Sequence, residues 1–168
     1  MFFCLTNDAD MAAVESKTET KTVIVQVRPI VYVLSPKEQE QEIKVADYEA
    51  EIDLLAHLIY AEAGSDWCSD KMQQNVGSVV LNRIAHESYP NTLMEVVYQS
   101  GQYGCVYNGM INYDYNERAY NNAKYLFENG SQLPANVVFQ AQFKQGDGVY
   151  EVFNHPNGDK TYFCYKGE

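Results

Sequence analysis

Among the 23 acidic residues of this 168-residue chain, Glu62 stands where a carboxylate is least comfortable. It falls in the last turn of an expected helix, just ahead of Ala63-Gly64, where the negative end of the helix dipole repels an anion. At about 100° per residue, Glu51, Leu55, Leu58 and Glu62 form one line along that helix. Leu58 and Ile59, one turn back, set the carboxyl over apolar side chains. Partial desolvation and the helix end both disfavour the anion and raise the pKa. A carboxylic acid still protonated near neutral pH is what protonating a glycosidic oxygen requires. The commoner role of a glutamate at a helix end is a solvated surface group, and position alone leaves both readings open.

Other polar and aromatic side chains divide in the same way. Trp67, the single tryptophan, sits in a Ser65-Asp66-Trp67 loop, where it either stacks on a sugar ring or packs inward. Asn82 lies within a helix, where an amide needs a partner, so it reads as a structural or site-orienting group. Arg83 paired with Glu62 would lower the pKa and spoil the acid, so it is expected to point elsewhere. Gln140 and Gln142 alternate with Phe139, Ala141 and Phe143, which puts both amides on one strand face, toward a cleft or toward solvent. Cys4, Cys68, Cys105 and Cys164 form no CxxC, and His57, His86 and His155 lack ligand spacing. No metal or other cofactor is expected. Cys68 and Cys105 are a possible disulfide in an exported chain, and buried free thiols are the commoner alternative.

The elements that must position these groups lie after about residue 46. Residues 1–46 read as a polar tail, an extended β-rich arm over 22–34 interrupted by Pro29, and a charged linker over 37–42. From Asp47 the period becomes 3.6: Ile52, Leu55, Ala56 and Ile59 share a face as far as Ala63, where Gly64 suits a C′ position. A second helix opens at Ser69 or Asp70, with Met72, Val76, Val79, Val80 and Ile84 on its stripe. Thr92 and Glu95 make a capping box for a short helix. Asn116 opens another, with Ala119, Tyr120, Ala123, Leu126 and Phe127 inward and Gly130 as its stop. After Pro134 the period is 2, and 137–143, 149–153 and 160–165 read as three strands of an antiparallel meander. The fold class is therefore α+β, a helical core with a small three-stranded sheet near the C-terminus.

Composition removes several functions. Twelve basic against 23 acidic residues give a net charge of −11, which argues against nucleic acid as a partner. No apolar run reaches the roughly 18 residues of a membrane span. Met1-Phe2-Phe3-Cys4-Leu5 is too short for a signal-peptide core, and reads either as the stump of one or as a frayed terminus.

Four segments in order resemble one family: Leu54–Ala63 with its Tyr-Ala-Glu-Ala, Val76–Arg83, Tyr89-Pro90-Asn91-Thr92, and Val96–Tyr103. Together they are similar to the SleB-type cell wall hydrolases, the spore cortex-lytic enzymes and their vegetative or phage-borne relatives. The resemblance covers roughly residues 50–168 and implies a lysozyme-like, resuscitation-factor-like domain over 47–168. It implies cleavage of peptidoglycan glycan strands between N-acetylmuramic acid and N-acetylglucosamine, by a monomer acting outside the cell at the wall or spore. The family's acid falls on Glu62. Gln102 and Tyr103 would line the sugar site, one as amide and one as aromatic platform; the alternative is a glycine-rich connector whose tyrosine packs inward. The pattern departs near the C-terminus, where Lys160-Thr161-Tyr162 stands in place of a histidine common among relatives.

Hydrolysis needs two carboxylates roughly 5 to 9.5 Å apart. A lytic transglycosylase manages with one, because the C6 hydroxyl of the substrate replaces both water and nucleophile. Asp53 and Glu51 lie too far back along the helix to assist, while Asp66 and Asp70 keep a hydrolytic muramidase or glucosaminidase open. A non-catalytic peptidoglycan-binding module and a structural domain of a spore or phage particle are the remaining alternatives.

Overall fold

The computed structural model describes residues 35–167. The expected tail, the arm over 22–34 and Cys4 lie outside them. Helix α1 spans Pro36–Ala63, α2 Asp70–Ala85, α3 Leu93–Val97, α4 Gly104–Tyr107 and α5 Glu117–Asn129, with a 3-10 turn at Met110–Asn112. Strands β1 (Val137–Ala141), β2 (Gly148–Asn154) and β3 (Lys160–Tyr165) follow.

The linker expected over 37–42 is instead the first part of α1, which passes through residue 46 without a break. Ser35 caps it in a reciprocal box with Glu38, Pro36 occupies the first turn, and Lys44 pairs with Glu40 at 2.8 Å. Glu, Gln and Lys are strong helix formers, so this run needs no buried face to be helical. All of 36–51 is exposed, and burial starts at Ile52. From there Ile52, Leu55, Ala56, Leu58 and Ile59 are inaccessible to solvent. Burying each of the larger ones contributes about 1.5–3 kcal/mol.

The core lies where α1, α2 and α5 meet. Gly77 makes the closest approach possible: a Cβ there would stand 2.4 Å from Leu126 Cδ1 and 3.1 Å from Ile59 Cδ1. Ser69 and Asn116 cap α2 and α5 through their side chains, as their sequence positions suggest. Thr92 caps α3, although its hydroxyl donates to the Glu95 carboxylate at 2.7 Å instead of closing a reciprocal box. After a turn at residues 100–102 the chain enters α4 and then the 3-10 turn.

The sheet is antiparallel but not a meander. Its order is β1-β3-β2, because β1 pairs with the last strand instead of the next. Only β2 and β3 form a hairpin, turning at Gly158 with φ 92°. The second half of α2 holds β1 in place. Asn82 Nδ2 donates to Pro134 O at 2.8 Å and Val137 O at 2.9 Å, and Arg83 Nε donates to Val138 O at 2.7 Å.

Candidate active site

Glu62 sits half-buried in the last turn of α1. The chain turns sharply after it at Gly64, whose φ of −77° is ordinary for any residue. Glycine is needed there for closeness, not for a left-handed C′ conformation as expected. An added Cβ would meet Tyr60 O at 2.4 Å and the Tyr60 ring at 2.7 Å.

Two donors face the Glu62 carboxyl. Gln140 Nε2, from β1, donates to Oε2 at 3.3 Å. The Cys105 thiol, from α4, also donates to it. Burial pushes the Glu62 pKa up, and the Cys105 hydrogen bond opposes only part of that rise. Among the described residues no lysine, arginine or histidine is ion-paired with Glu62. Cys105 itself is pushed to about 12, by its own burial first and then by the Glu62 charge, so it remains a thiol. A neutral donor orients the carboxyl without supplying the positive charge that would strip its proton.

Tyr103 is close enough to feel the Glu62 charge. It is 4% exposed, and burial chiefly drives its phenol to about 12, against the opposing pull of Arg83. The Arg83 guanidinium lies 5.3 Å from the Tyr103 ring centre and 5.3 Å from that of Tyr89. It contacts aromatic faces and a backbone carbonyl, and among the described residues it is ion-paired with no carboxylate, Glu62 included. The Tyr103 hydroxyl, Arg83 Nη1 and Gln140 Oε1 are buried without a protein partner.

The expected site residues therefore separate. Glu62 and Gln140 are in contact, and Cys105 joins them. Tyr103 is floor, not platform, because its ring is covered on entry to α4. Asn82 is 5% exposed, and its amide donors are engaged by backbone carbonyls, which removes it from any sugar-binding surface. Cys68 and Cys105 do not form the possible disulfide. Both are buried free thiols, one beside Arg118 and the other against Glu62. Gln102 is exposed on the loop leading to Tyr103. Trp67 is 39% exposed, with its ring centre 4.4 Å from that of His155, whose Nε2 lies 2.8 Å from Thr161 Oγ1. Asp70 is tied to Arg118 Nε at 2.6 Å and directed toward α5. Cys105 and His155 were not legible as neighbours of the site, since each contact joins segments far apart in the chain.

Half-buried acid at a helix end, α2 and α5 behind it and a small sheet beside it define a domain type that sequence and structure comparisons place. A family model for cell wall hydrolases matches residues 69–164, more than half of the chain, and the chain belongs to that family. Glu62 lies just before the matched span.

Two solved structures share the fold. The catalytic domain of the Bacillus cereus SleB protein is 22% identical, with a TM-score of 0.52 over 69% of this chain and 90% of that one. The catalytic domain of the germination-specific lytic transglycosylase SleB from Bacillus anthracis is 20% identical, with a TM-score of 0.52 over 68% and 93%. The α+β architecture with its C-terminal three-stranded sheet is thus that of the SleB catalytic domain. No curated protein matches. Among the described residues no helix is long and apolar enough to cross a membrane.

Proposed function

We propose that the protein cleaves peptidoglycan glycan strands between N-acetylmuramic acid and N-acetylglucosamine, by lytic transglycosylation with Glu62 as the one acid/base. The observation that carries this reading is the state of Glu62: half-buried, raised in pKa, and held by Gln140 and Cys105, with no ion-paired cation among the described residues. Membership of the cell wall hydrolase family and the fold shared with SleB point to the same substrate. The protein would act as a monomer at the cell wall or spore cortex.

Protonated Glu62 gives its proton to the glycosidic oxygen as the C1–O bond breaks, and N-acetylglucosamine leaves with a free C4 hydroxyl. The C6 hydroxyl of the muramic residue then adds to its own C1. Glu62, now a carboxylate, takes the hydroxyl proton, which closes a 1,6-anhydro ring and regenerates the acid. No water is consumed and no second carboxylate is needed. That suits a site where Asp70 is occupied by Arg118 and Asp53 by the Tyr115 hydroxyl. Trp67, exposed beside His155, and Gln102 are the groups left to meet the glycan.

The test is digestion of purified cell walls or decoated spores, followed by mass analysis of the muropeptides. Anhydromuropeptides support transglycosylation, and reducing-end products make the protein a hydrolase. Retention on walls without cleavage makes it a binding module, and neither binding nor cleavage leaves a structural domain.

A further inference from the structure

A helix C-terminus leaves its last carbonyls without intrahelical donors. At the end of α1 one of them is met by a side chain: Gln73 Nε2, from α2, donates to Ala63 O at 2.9 Å. Ala63 directly follows Glu62. Gln73 is wholly buried beside the apolar core, and Asn122 of α5 is 6% exposed. Asn122 Nδ2 donates to Gln73 Oε1 at 2.8 Å, and its second contact is Asp70 Oδ1 at 3.2 Å. Asn122 Oδ1 accepts from Gln74 Nε2 at 2.9 Å. The amides form a chain from α5 through α2 to the turn of α1 that carries the acid.

Buried amides cost free energy unless bonded, and an apolar residue at 73 would fill the same volume with less risk. What the amide adds is direction. It fixes one carbonyl of the last turn, where helices otherwise fray.

We propose that Gln73, itself oriented by Asn122, is a positioning residue for Glu62, locking the last turn of α1 so that the acid stays packed against Cys105 and Gln140. This rests on Glu62 being the acid of the proposed reaction and names what holds it there. The groups facing Glu62 from the elements packed on it are the Cys105 thiol of α4, the Tyr103 phenol at its cap and the Gln140 amide of β1, all unchanged by the variants below.

The full chain carries the test as Gln73→Leu, Asn122→Ala and Gln73→Glu. Two readouts are taken: NMR titration of the Glu62 carboxyl carbon, and turnover against half-saturation on solubilised glycan strands. In Gln73→Leu and Asn122→Ala the Glu62 midpoint is expected to fall toward that of an exposed glutamate. Turnover drops about ten- to a hundredfold, while half-saturation stays within about twofold. Gln73→Glu can still donate to Ala63 O while protonated, so it works at acidic pH and fails as its carboxyl ionises. If the Glu62 midpoint and turnover match wild type while only the melting temperature falls, the amides are merely structural and the proposal is overturned. Should Gln73→Leu not fold, Asn122→Ala and Gln73→Glu decide by the same readouts. A wild-type protein that cuts no glycan defeats the reaction assigned to Glu62, and the titration still decides whether Gln73 holds it.

Discussion

Two carboxylates flank the turn between α1 and α2, and their environments are opposite. Glu62 ends α1, where the helix dipole is negative; it is half-buried, and burial raises its pKa. Asp70 begins α2, where the dipole is positive; it is exposed, and hydrogen bonds from Arg118 and then Asn122 lower its pKa. Seven residues of chain thus separate a carboxyl whose pKa is raised from one whose pKa is lowered. Neither property belongs to the residue type. Helix end, burial and the donors decide, and for Glu62 those are a neutral thiol and an amide where Asp70 has a guanidinium.

The largest expected effect breaks the comparison at its functional end. Glu62→Gln keeps the size and the Gln140 contact but removes the proton, and wall digestion should slow by at least about a hundredfold. Asp70→Asn should cost no more than a few-fold in the same assay. Equal losses in the two variants would show that the acid has been misassigned.

The pH profile sharpens the contrast. A general acid works below its pKa, so the alkaline limb of turnover should lie above the ordinary glutamate range. Cys105→Ala removes a hydrogen bond that lowers the Glu62 pKa, so the limb should move further up. Its movement downward, measured on protein of wild-type fold, would mean that the thiol's bulk matters more than its hydrogen bond.

The two ends of this turn also differ in how far the sequence disclosed them. Ser69 as cap, the α2 stripe and the strain on Glu62 follow from local rules of dipole, capping and period. The limits of β3 emerge from alternation alone. What failed depended on distant partners. Tyr103 looked free beside two glycines and is covered by packing that includes Arg83 from α2. Asn82 bonds carbonyls more than fifty residues later. The sheet order turns on which strand β1 meets, and turn residues near Gly146 do not specify that. The start of α1 is a different failure. Ser35-Pro36-Lys37-Glu38 is a capping signal in plain view, but the helix it opens has no buried face for sixteen residues, so no apolar period follows to mark it.

Stability tests the cap at the Asp70 end before its charge. Ser69 Oγ accepts from Met72 N at 3.2 Å, so Ser69→Ala should cost about 1 kcal/mol in denaturant unfolding. The proton chemistry of Glu62 should be unaffected, which an unshifted alkaline limb would verify. A shifted limb would mean that the two sides of the turn are mechanically coupled.

The smallest effect is the dependence of stability on pH, and its sign is opposite at the two carboxylates. Glu62 has a folded-state pKa above its unfolded value, so its contribution is full at acid pH and is lost as pH rises through the folded pKa. Glu62→Gln removes that loss, so the melting temperature of the variant relative to wild type should climb with pH. Asp70 has a folded-state pKa below its unfolded value, so its contribution is present at neutral pH and lost on acidification. Asp70→Asn should therefore be less stable than wild type at neutral pH and converge with it in acid. Because Asp70 is exposed, its difference should be small and shrink further in high salt, whereas the half-buried Glu62 difference should survive salt. Parallel pH trends in the two variants would erase the distinction between a carboxyl set up to hold a proton and one set up to pair with a cation.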